Sequence, residues 1–145
     1  MSLNQRYVEE STHNITHSFD SDLELNWRWE DNHKAMLTEF ARNKKDKVLN
    51  ILREQFDHEW NRKSIKKAPK VLADQLGELT KLSKEQLLFT IPAFGEQPAM
   101  VAIWWPWGHG ATVSLRLMPI KDSYKMPDTS FQKDSFFTVV KKLFS

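Results

Sequence analysis

"LLFTIPAFGEQPAMVAIWWPWGHGATVSLRLMPI", residues 87–120, is the stretch whose reading decides the fold. From 86 to 120 only Glu96 and Arg116 are charged. Three apolar stretches, 87–91, 99–105 and 111–118, are separated by "PAFGEQP" and "PWGHG". The third sets Val113, Leu115 and Leu117 against Thr112, Ser114 and Arg116, the period of two expected of a half-buried strand. The connections are far too short for the crossover a parallel pair needs, so the three stretches read as an antiparallel meander. Pro106, Gly108 and Gly110 then mark the turn from its second strand to its third, where glycine supplies positive φ at little steric cost.

Upstream of the meander the pattern is mostly helical. Ser2 with Gln5 fits a capping box, and Leu3, Tyr7, Val8, Ile15 and Phe19 follow one face, which predicts a first helix at about 3–18. "LELNWRW", 23–29, alternates strictly and reads as a strand. Residues 31–61 read as a long helical segment, with Met36, Leu37 and Phe40 and then Val48, Leu49, Leu52, Phe56 and Trp60 at helical spacing, divided by the polar "RNKKDK" at 42–47. "RKSIKKAPK", 62–70, reads as a connector in which Pro69 ends any helix running into it. A short helix follows at 70–80 through Val71, Leu72, Leu76 and Leu79. Ser83 with Gln86 forms a second capping box that conflicts with the strand character of "LLFTI" after it. Thr129 and Gln132 cap a final helix striped by Phe136, Phe137, Val140, Leu143 and Phe144.

These elements predict one α+β domain over residues 1–145. It has N-terminal helices, an antiparallel sheet of three or four strands, and a C-terminal helix packed on the sheet, with the helices on one face. A chain of 145 residues is long enough to bury a core without a staple, and its 12% aromatic content argues against disorder. The absence of cysteine excludes a disulfide scaffold, a thiol nucleophile and a thiolate metal site. The N-terminal residues lack the basic and apolar regions of a secretory signal, and no run approaches a membrane span; a cytoplasmic protein with no membrane partner is expected. Charge is uneven: residues 1–60 carry 8 basic and 12 acidic side chains, residues 61–145 carry 13 and 7. That distribution suggests two faces of opposite sign.

Candidate functional residues fall into three groups. "AIWWPWGHG", 102–110, holds three of the six tryptophans. Adjacent Trp104 and Trp105 must point to opposite faces of a strand, so one of them, with Trp107 and the turn residue His109, faces a covering helix, a partner or water. Trp104, Trp105, Trp107 and His109 are therefore the expected interaction surface, toward a protein partner or a second copy. The plainer reading is burial and a hairpin turn. The alternative is nucleic-acid binding by Arg62, Lys63, Lys66, Lys67 and Lys70, with Trp60 flanking them, against a solvated basic loop. His13 and His17 lie one helical turn apart, with Glu9 a turn earlier, a spacing that can chelate a cation; Asn14 stands where a zinc protease needs glutamate, and a solvated helix face is the simpler account, so no metal site is assigned. No phosphate-cradling loop or nucleophile elbow is present. The expectation is a non-catalytic module without a cofactor. A small-ligand or enzymatic domain, with an aromatic pocket and His109 at its mouth, is the third reading.

Overall fold

The computed structural model describes residues 3–19 and 21–120. Helix α1 (Leu3–Thr16) leads through a short 3-10 turn (Ser21–Leu23) to strand β1 (Arg28–Glu30) and strand β2 (Ala35–Ala41). A second 3-10 turn opens helix α2 (Lys45–Gln55), followed by strand β3 (His58–Trp60), a 3-10 turn (Ser64–Lys67) and helix α3 (Lys70–Leu76). Strands β4 (Leu87–Ile91), β5 (Met100–Pro106) and β6 (Thr112–Pro119) complete one six-stranded sheet in the order β1-β2-β6-β5-β4-β3, antiparallel throughout.

The meander β4-β5-β6 matches the reading of residues 87–120, but the sheet is larger than three or four strands. Strand β2 pairs along the outer side of β6, from Met36 opposite Leu117 to Ala41 opposite Thr112, β1 pairs with β2, and β3 pairs with β4 on the far side. The expected helical segment 31–61 is therefore mostly wrong. Ala, Met, Leu and Glu favour helix in isolation, yet "AMLTEFA" is a strand because pairing on two sides outweighs a preference worth a fraction of a kcal/mol per residue. Only Lys45–Gln55 is helix, placing Val48 and Leu52 in the core. Strand β1 starts at Arg28, so the alternation at 23–29 marks which side chains turn inward, Leu23, Leu25 and Trp27, more than where the strand lies. The bond expected of the second capping box does form, from the Ser83 N–H to Gln86 Oε1 at 2.8 Å, but the chain continues directly into β4. The final helix capped by Thr129 and Gln132 lies outside the described residues.

Helices cover both faces of the sheet, not one. Along β5, Met100, Ala102 and Trp104 enter a cluster with Ile15 and Phe19 from the α1 end and with Val48, Leu52 and Phe56 from α2 and its end. Val101 and Ile103 enter a separate cluster with Ile65, Leu72 and Leu76 from the 3-10 turn and α3. The six-residue apolar run "MVAIWW" is the sequence correlate of a strand buried on both sides. On the second face, the cover formed by the described residues, from the 3-10 turn and α3, lies over the β4–β5 half.

Substitution checks this two-sided core. Met100→Ala and Ile103→Ala should each lower unfolding free energy by about 2–4 kcal/mol, measured by urea denaturation. A loss below about 1 kcal/mol at Ile103 would mean that the second face is not sealed.

Candidate functional site

The half of the second face that no helix among the described residues covers carries the site. Strand alternation brings Arg28 and Glu30 of β1, Ala35, Leu37 and Glu39 of β2, Ser114 and Arg116 of β6, and Trp105 of β5 to one surface. Trp107 and Gly108 at the β5–β6 turn close one end, and the result is an open groove of about 600 Å³. Its centre is Leu37, opposite Arg28 on one side and Arg116 on the other, and only 4% exposed although no helix among the described residues covers this surface.

Charged side chains cover Leu37 instead. Arg116 reaches across β2 and donates Nε and Nη2 to the two oxygens of Glu30, at 2.6 and 3.0 Å. Ala35, the residue opposite Glu30, is small enough to let the two long side chains meet. Arg28 pairs diagonally with Glu39. Two ion pairs thus lie over one leucine, their methylene stems covering apolar surface while their heads meet water. His33, in the four-residue turn between β1 and β2, places Nδ1 2.7 Å from Glu30 Oε1. That turn puts Lys34 at φ 52°, and Lys34 Nζ donates to Asp31 at 2.8 Å.

The hydrogen bond from Arg116 holds the Glu30 carboxyl below its ordinary 4.5; the Arg116 charge and His33 act the same way, against partial burial. Glu30 is thereby fixed as a carboxylate at neutral pH and is not poised to give a proton. Lys34 likewise lowers the exposed Asp31 carboxyl.

The tryptophans divide as the alternation requires. Trp104 is buried, its ring centroid 5.6 Å from that of Phe40, and takes no part in the groove. Trp105 and Trp107 are 46% and 45% exposed, and both line the groove. Trp107 Nε1 donates to Ser114 Oγ at 2.7 Å, and Ser114 Oγ donates to Glu39 Oε2 at 3.3 Å, so this indole is tied through Ser114 and Glu39 to Arg28. His109 is exposed at the tip outside the groove, its Nδ1 accepting the Ala111 N–H at 3.0 Å and its ring 5.5 Å from Trp107. Of the two turn glycines, Gly110 has the positive φ, 82°.

The other candidates lie elsewhere. Arg62, Lys63, Lys66, Lys67 and Lys70 are exposed around the turn between β3 and α3. His13 and His17 are exposed on and just after α1, with ring centroids 3.9 Å apart, and no group of three metal-ligating side chains occurs among the described residues. Arg28, Glu30, Glu39, Ser114 and Arg116 were not foreseen as site residues. The one available signal was Arg116 itself, a lone charge inside an apolar strand, which requires a carboxylate nearby. No family model, no curated protein and no solved structure matches the chain, and no helix among the described residues is long and apolar enough to cross a membrane.

The Glu30–Arg116 pair predicts a pH dependence. Because the folded-state carboxyl is held low, its stabilising effect is full above the ordinary carboxylate range and is lost as pH falls through the folded value. Glu30→Gln should cost about 1–2 kcal/mol at neutral pH, and the gap to the native chain should narrow on acidification below 4.5. Denaturant titrations across that range check it, and a gap that widens with acid would contradict the pairing.

Proposed function

We propose that this chain is a non-catalytic binding module that holds a protein partner, another protein or a second copy of itself, across the groove between Trp105 and Trp107. The observation that carries this reading is the pair of half-exposed indoles beside a surface of fixed charges. Exposed indoles are unfavourable in water and dominate binding energy when buried by a partner. The groove sets two aromatic anchors beside paired charges, side-chain types that recur in contact patches. Trp107 is held by Ser114 in one orientation, so little side-chain freedom is lost on docking.

The openness of the groove favours a macromolecule over a small ligand, since small-molecule sites enclose most of their ligand's surface. The carboxylates argue against acid–base chemistry here, because each is engaged by an arginine. Trp105 and Trp107 therefore remain the proposed contact residues from the tryptophan-rich hairpin, with His109 at its margin and Trp104 beneath it.

Photo-crosslinking tests the reading. A benzophenone side chain at Gly108, in cells that naturally make the protein, should give one discrete protein adduct, which the double variant Trp105→Ala, Trp107→Ala should abolish. Acrylamide quenching over a wide concentration range then separates the two kinds of partner: shielding of both indoles on concentration identifies a second copy. The reading fails if no discrete adduct forms and the indoles stay equally quenchable at every concentration.

A further inference from the structure

We propose that the basic turn between β3 and α3 is a docking site for single-stranded nucleic acid, with Arg62, Lys63, Lys66, Lys67 and Lys70 on the phosphates and the His58–Trp60 ring pair stacking a base. This site is separate from the groove and does not depend on the binding reading given for it.

Two observations carry the proposal. The first is uncompensated charge. All five cations are exposed, and none forms an ion pair among the described residues. No acidic residue occurs between Glu59 and Asp74, and Glu59 is already held by Arg53 at 2.7 and 3.2 Å. The turn is fixed from below by Ile65, buried in the second core cluster, so the lysines around it project outward. Asn61 Oδ1 accepts the N–H groups of Lys63 and Ser64 at 2.9 and 2.8 Å, which keeps this backbone in one conformation.

The second observation is an aromatic platform on β3, the strand that leads directly into the basic turn. Trp60 packs against the second cluster and donates Nε1 to Thr90 Oγ1 at 2.9 Å, which anchors the indole at both its ring and its N–H. His58 is exposed and stacks on it, with centroids 5.4 Å apart and planes 29° apart. A rigid stacked pair at the rim of a cationic surface is the combination that single-strand binders use, bases on rings and phosphates on lysines.

The surroundings favour this ligand over other polyanionic surfaces. Val71 is the one large exposed apolar side chain adjoining the turn among the described residues, too little to enter a bilayer. Helix α3 is seven residues long and seats Leu72 and Leu76 in the core, so it is not free to enter the groove of a duplex.

Fluorescence anisotropy of the full chain with a labelled oligothymidylate tests the proposal. Neutralising about four phosphates predicts a slope of log affinity against log salt near −3, a loss of about 50-fold for a fourfold rise in salt. The triple variant Lys63→Gln, Lys66→Gln, Lys67→Gln should bind at least about tenfold more weakly with a shallower slope. These lysines are exposed, so its melting temperature should not change. His58→Ala should weaken binding about fivefold or more. The proposal is overturned by no binding at low salt, by full affinity in the triple variant, or by full affinity in His58→Ala, which would leave a general polyanion surface. Tighter attachment to phosphatidylserine vesicles than to the oligonucleotide would assign the turn to membranes instead.

Discussion

Strand β5 carries apolar side chains on both of its faces, and the rest of the structure follows from covering it twice. A strand with one wet face needs one layer of helix, whereas β5 needs neighbours on both edges and a lid on both sides. The edges are supplied by β4 and β6 within the meander. The lids come from different parts of the chain. Residues from α1 and α2 close one side, and those of the 3-10 turn and α3 close the other.

Among the described residues the second lid reaches over only part of its face, and the groove lies beyond its end. Where α3 stops, β1, β2 and β6 must protect their own surface. They do so with paired charges: Arg116 with Glu30 and Arg28 with Glu39 seal Leu37. The arrangement depends on register, because Arg28 and Arg116 flank Leu37 directly, and a slip of one residue in β2 would send Leu37 to the opposite face. Apolar burial and surface electrostatics are here one device, since the same side chains supply both.

The parts of the fold that local chemistry dictates were readable in the sequence. The meander was, because its strands lack charge and Pro and Gly punctuate them. The division between Trp104 and Trp105 was as well, because neighbours on a strand cannot face the same way. The identity of β2 was not. Its residues favour helix in isolation, and pairing with β1 on one side and with β6, more than seventy positions away, on the other makes them a strand. The groove was hidden for the same reason, for its charged residues are spread from Arg28 to Arg116 and are assembled only by the strand order. The second cover over Val101 and Ile103 was foreshadowed by the unbroken apolar run of β5, which is also consistent with a buried helical segment.

Among the described residues the sheet ends on two strands of only three residues, β1 and β3. A long bare edge is a template on which another chain can polymerise, and proteins blunt such edges by shortening them and placing charge along them. Both devices occur here, with Arg28 and Glu30 on one border and Glu59 on the other. A sheet built around so apolar a centre is therefore protected against fibrous growth from either side.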